Sequence, residues 1–149
     1  MSLAKRNGTP SDLAAQGTLD DARIKTFDIA VQAPTVATFG FWKAPCSGRV
    51  LRIEGRLKVA ASGDGAGGNL TCNVRKGGAT IQSAVMTFAQ ADGDNNDEVA
   101  GLKTDHADYE AAEKAIKFNS GDVFDLNVAA IQAGATPATG LIVQVTILV

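Results

Sequence analysis

The stretch SGRVLRIEGRLKVA, residues 47–60, limits the possible folds more than any other part of the chain. Leu51, Ile53, Leu57 and Val59 alternate in it with Arg52, Glu54, Arg56 and Lys58. Successive side chains of a strand leave opposite sides of the sheet, so a period of two over this length predicts a strand with one dry and one charged face. Gly55 falls on the dry side, where it marks a bulge or a close approach to the backbone. The charged face raises the question of function. It either meets a partner or keeps a sheet soluble.

The same reading extends along the chain. KTFDIAVQ sets Phe27, Ile29 and Val31 on one side, and Pro34 then breaks the ladder. VATFGFWK follows, with Phe39, Phe41 and Trp42 crowded together, and APCSG turns the chain into the charged strand. ASGDGAGGN reads as a glycine-rich hairpin loop, NLTCNVRK as the returning strand, GG as a turn and ATIQSAVMTFA as the next strand. In that last segment Ile81 and Val85 share one parity and Met86 and Phe88 the other, which predicts a bulge or break near Ala84. DYEAAEKAIK is the one good helical stretch, with Tyr109, Ala112 and Ile116 on a face, although AIKF also reads as the end of a strand. NSGD makes a tight turn, VFDLNVAA lines up Phe124, Leu126 and Val128, and AGATPATG is a loop. The final LIVQVTILV has Leu141, Val143, Val145 and Ile147 on one face and Ile142 and Leu148 on the other, as expected of a central or doubly covered strand. Seven or eight strands with at most one short helix imply an all-β antiparallel sandwich or jelly roll over residues 24–149. Residues 1–23 have no sustained period and read as an extended N-terminal arm or a disordered terminus. The expected core includes Leu51, Ile53, Leu57, Val59, Leu126, Val143 and Val145.

At 149 residues one domain is expected. The formal charge of −2 argues against a nucleic-acid partner, which calls for a basic surplus. No apolar run reaches the length of a membrane span, and the start of the sequence lacks the apolar centre of a signal peptide, so synthesis in the cytoplasm is expected. Cys46 and Cys72 are too few for a disulfide framework and lack metal spacing; both are expected to stay reduced, with Cys72 a small buried hydrophobe.

Motifs that carry chemistry fail one by one. DGDNNDE sets Asp92, Asp94, Asn96 and Glu98 in calcium-loop alternation, but Asp97 stands where the loop needs glycine and Lys103 where it needs a bidentate carboxylate. It reads as a solvated acidic loop, and no metal or cofactor is expected. His106 is the only histidine and lies in polar KTDHADYE with no nucleophile motif, so it reads as a surface residue. GDGAGG lacks the Lys-Ser/Thr of a phosphate loop. No enzyme is expected.

Three segments together resemble a known group. Ala44, Pro45, Gly48 and Val50 open the long strand; Val74, Lys76, Gly78 and Ile81 form a hairpin; Ser120, Gly121, Asp122 and Leu126 precede the apolar last strand. Over residues 26–149 this layout resembles the β-sandwich capsid decoration (cement) proteins of tailed bacteriophages. The resemblance implies a non-enzymatic virion protein on the capsid exterior, made in the host cytoplasm, a homotrimer partnered by the major capsid protein and by neither nucleic acid nor membrane. The arm would then touch the capsid through Leu3, Lys5, Arg6, Leu13 and Leu19, while Phe39, Phe41 and Trp42 would line the subunit interface. A receptor- or glycan-binding module of a phage tail or fibre shares the pattern and is the alternative.

Overall fold

The computed structural model describes residues 23–93, 96–102 and 116–149, the side chains of Phe41 and Asn96 excepted. The arm, Asp94, His106 and the helical stretch up to residue 115 therefore lie outside the described residues. Ten strands follow in order: β1 (Ile24–Val31), β2 (Ala37–Lys43), β3 (Gly48–Val59), β4 (Asn69–Lys76), β5 (Ala79–Thr80), β6 (Met86–Ala89), β7 (Asn96–Ala100), β8 (Lys117–Phe118), β9 (Val123–Ala130) and β10 (Thr139–Leu148). A short 3-10 turn, Gln90–Asp92, separates β6 from β7.

The strands form two antiparallel sheets. Sheet I runs β1-β10-β3-β7, with β8 also on β3; sheet II runs β2-β9-β4-β5, with β6 also on β4. β7 pairs with β3 at residues 53–57 and β8 pairs with it at residues 48–49, so together they fill one strand position. β5 and β6 share another position along β4 in the same way. Eight positions remain, and consecutive ones pass from sheet to sheet except at β4 and β5/β6, which are neighbours in sheet II; this is the strand order of a jelly roll. The expected all-β sandwich is what the chain forms.

The inner faces supply the core. Ile53, Leu57, Leu141, Val143 and Val145 of sheet I and Leu70, Cys72, Val74, Phe88, Phe124 and Leu126 of sheet II are all fully buried. Gly55 is a point of close approach: a Cβ there would meet Phe88 Cζ at 2.8 Å and Met86 Sδ at 2.9 Å.

Three expectations need correction. First, Leu51 is 40% exposed, while Val50 is buried. Ile147 pairs with Val50 and Thr146 with Arg52, so Leu51 is an extra residue bulged out of the ladder, and the parity of β3 changes there. Second, Val59 is only half-buried, at the end of the strand opposite Thr139. Third, residues 61–68 do not close a hairpin. They carry the chain from β3 in sheet I to β4 in sheet II, and bridges Ser62–Thr136 and Gly67–Ala133 fasten them to the β9–β10 connection. Buried Gln132 completes that end, accepting from the Ala61 amide at 2.8 Å and donating to the Phe88 carbonyl at 2.9 Å.

The break expected near Ala84 is present between β5 and β6. Gln82, 1% exposed, replaces the missing ladder: its Oε1 accepts from the Val74 amide and its Nε2 donates to the Ala84 carbonyl at 3.2 Å. A buried amide group left unpaired there would cost about 1–3 kcal/mol.

Candidate interaction surfaces

The charged face of β3 lies on the outside of sheet I. The register sets Ala30, Ile142, Arg56 and Asp97 in one row across four strands, and Asp28, Gln144, Glu54 and Val99 in the next. Arg52 Nη2 meets Glu54 Oε1 at 2.5 Å, Arg56 Nε lies 3.7 Å from Asp97 Oδ1, and Gln144 Nε2 donates to Asp28 Oδ1 at 3.1 Å. The bases and acids of this face therefore neutralise one another. These side chains are about half exposed, so each ion pair contributes at most about 1 kcal/mol. Ile142 and Val99 stand exposed among them, at 41% and 60%.

The outside of sheet II is polar and more enclosed. Arg75 Nε holds Asp125 Oδ1 at 2.7 Å, and Arg75 Nη2 donates to Thr38 Oγ1 at 3.0 Å. Asn127 Nδ2 donates to Asn73 Oδ1 at 3.3 Å, so neighbouring strands are laced across the sheet. No sequence motif announces this group. Arg75 and Asp125 sit on the polar parity of two strands 50 positions apart and meet only through the β4–β9 register.

The third surface is the flank where β1, the edge of sheet I, faces β2, the edge of sheet II. Phe27 stacks on Trp42 with centroids 4.2 Å apart and planes 17° apart. Trp42 also packs against Phe124 and, edge to face, against Phe118. The crowding of β2 is resolved by a bulge. Phe39 pairs with Leu126 and Trp42 with Phe124, leaving Gly40 and Phe41 together opposite Asp125. Gly40 takes the left-handed conformation at φ 61°, and a Cβ there would lie 2.1 Å from Ile29 Cγ2. The bulge lets both Phe39 and Trp42 turn inward, where they are half-buried against the subunit's own core. The Phe41 side chain lies outside the described residues.

Leu3, Lys5, Arg6, Leu13 and Leu19 also lie outside the described residues. Arg23, at the foot of the arm, is anchored: its Nε donates to the Val149 carbonyl at 3.0 Å and its own carbonyl accepts from the Val149 amide at 2.9 Å. Cys46 is exposed and Cys72 buried, and both are free thiols. Burial pushes the Cys72 thiol up to about 12, which keeps it neutral and unreactive. Among the described residues no cluster of three His, Cys, Asp or Glu could hold a metal ion, and no helix is long and apolar enough to cross a membrane.

No protein-family model matches the chain, and no curated protein matches it in sequence. Among solved structures, a chain of the cyanophage Pam1 capsid asymmetric unit has a similar fold, with a TM-score of 0.52 and 18% identity, over 85% of this chain and 84% of that one.

Proposed function

We propose that this protein is a non-enzymatic virion component that decorates and stabilises a bacteriophage capsid by binding at junctions between capsid subunits. The observation that carries the reading is the jelly-roll fold, similar along most of its length to a chain of a phage capsid asymmetric unit. The turn motifs that resemble decoration proteins support it. The Gly121 amide donates to the Ala44 carbonyl at 2.7 Å and the Ala44 amide to the Asp122 carbonyl at 2.8 Å, so two of those motifs join at one end of the sandwich.

In this reading three copies form a ring on the capsid exterior, with the major capsid protein as partner and neither nucleic acid nor membrane involved. Residues 1–23 reach across the shell, where Leu3, Lys5, Arg6, Leu13 and Leu19 make contacts. The flank bearing Phe39, Phe41 and Trp42 is covered on assembly. Binding only the assembled shell stabilises that state by mass action, and a small gain per copy accumulates over many copies.

The test is binding of the purified protein to shells that lack it, with light scattering for subunit number. Saturable binding by a trimer is expected, and deleting residues 1–23 should weaken it while leaving a folded trimer. A monomer at micromolar concentration overturns the trimer. Glycan binding with no affinity for shells overturns decoration in favour of a receptor-binding module.

A further inference from the structure

A sandwich of two open sheets has four edges, and three of them here are blunted. The β2 edge is bulged at Gly40 and Phe41. The β5/β6 edge is two short strands of two and four residues. The β7/β8 edge is likewise split, into five and two residues. The fourth edge, β1, is eight residues long and pairs with β10 from Ile24 to Val31 without a register shift. Among the described residues no strand covers its other side. A long regular edge is a template for strand addition, and folded proteins usually blunt it.

The geometry points to β1 as the docking edge for an extended segment of the capsid shell, added antiparallel to it. This rests on the decoration reading, adds a second shell contact to that of the arm, and puts a capsid segment, in place of a neighbouring subunit, over the Trp42 flank. The Val149 amide donates to the Arg23 carbonyl, so odd-numbered residues of β1 face β10. Alternation then leaves the amides and carbonyls of Ile24, Thr26, Asp28 and Ala30 on the open side. The inward side chains of an added strand would cover the half-buried Phe27–Trp42 stack, so alternate apolar residues fit there. Phe27 lies level with Trp42 and Ile29 with Gly40, which brings exposed Lys25 level with Lys43 and Ala44. Two lysines at that end select a carboxylate on the incoming strand. The partner is therefore an extended segment with apolar residues at alternate positions and an acidic residue at its C-terminal end.

Trp42 is the only tryptophan and lies under this edge, so its emission reports the event directly. The probe is a capped eight-residue peptide in which threonine alternates with three valines and the last residue is glutamate. Added to the full chain, it should give a saturable blue shift. A peptide ending in lysine should bind more weakly by roughly three- to tenfold, and Lys25→Glu, which sets an acid beside Lys43, should erase that preference. Thr26→Pro removes an outward amide at a position where an edge strand tolerates proline, and should abolish the shift. The same variant should lose binding to shells lacking the protein, with Lys25→Glu as a second variant if Thr26→Pro fails to fold. No saturable shift, or an equal shift with Thr26→Pro, overturns the proposal. So does a folded Thr26→Pro that takes the peptide poorly yet binds shells as well as the parent. Failure of the parent chain to bind shells at all sinks the decoration reading, while the peptide result still judges the edge.

Discussion

At the scale of single residues, neighbours in one strand have opposite fates. Leu57 is fully buried and Leu51 stands out of the ladder at 40% exposure. Leu57→Ala should cost about 2–5 kcal/mol in urea unfolding, because the removed methyl groups leave a cavity in close packing. Leu51→Ala should change stability by less than about 0.5 kcal/mol, as surface substitutions do. Equal losses at the two positions would mean that β3 carries no bulge. Cys72 gives a pH test. Folded, its thiol keeps the proton up to about 12, against an ordinary value of 9.0. Above about pH 9 only the unfolded chain gains by ionising this thiol, so its contribution is intact below that pH and falls by about 1.4 kcal/mol per unit as pH rises toward 12. Comparing urea curves at pH 8 and pH 10.5 should show a steeper alkaline loss in the parent chain than in Cys72→Ala. Parallel losses would place the thiol in contact with water.

At the scale of elements, irregularities decide where side chains go. Phe39 and Trp42 are three apart, which in a regular strand would send them to opposite faces. The extra residue at Gly40–Phe41 brings both inward, so the poor alternation of this segment has an explanation within one subunit. Gly40→Ala should destabilise by well over about 1–2 kcal/mol, since the left-handed backbone penalty adds to a clash with Ile29. Thermal denaturation and the Trp42 emission together would report it. A silent substitution would show that the bulge relaxes without consequence for the stack. The bulge at Leu51 and the Gln82 side-chain splice between β5 and β6 act alike. Each keeps a stretch of chain in one sheet although its pattern changes phase.

At the scale of the whole molecule, the two sheets close over a continuous core whose contacts are mostly distant in sequence. β1 pairs with β10, joining the first described strand to the last. Excess chelator should leave the melting temperature unchanged, and a large calcium-dependent rise in scanning calorimetry would restore Asp92–Glu98 as a site. The outer faces differ in what they offer a neighbour. Sheet I presents paired charges with Ile142 and Val99 between them, and sheet II presents side chains already bonded to one another. The β1 flank combines an edge that no described strand covers with an aromatic surface, and so has the most to gain from a partner.

Local chemistry made much of this legible beforehand. Period-two alternation marked β1, β9 and β10 and their buried residues, because a strand's two faces are written directly in its side chains. A change of parity marked the break near Ala84, and turn residues marked the tight NSGD turn, where the Asp122 amide donates to the Asn119 carbonyl and its carboxylate accepts from the Asn119 amide. Cys72 was readable as a buried hydrophobe from its parity with Leu70 and Val74. What tertiary structure alone decided was which strands meet. The loop at residues 61–68 has the composition of a hairpin, yet it crosses between sheets, with β3 pairing β10 and β7 in one and β4 pairing β9 and β6 in the other. Leu51 has the right parity for the core and is excluded by a one-residue slip relative to Thr146 and Ile147. Arg75 and Asp125, ordinary polar positions in sequence, become a pair through the β4–β9 register. Partner choice depends on contacts a hundred residues apart, and no local window of the chain contains them.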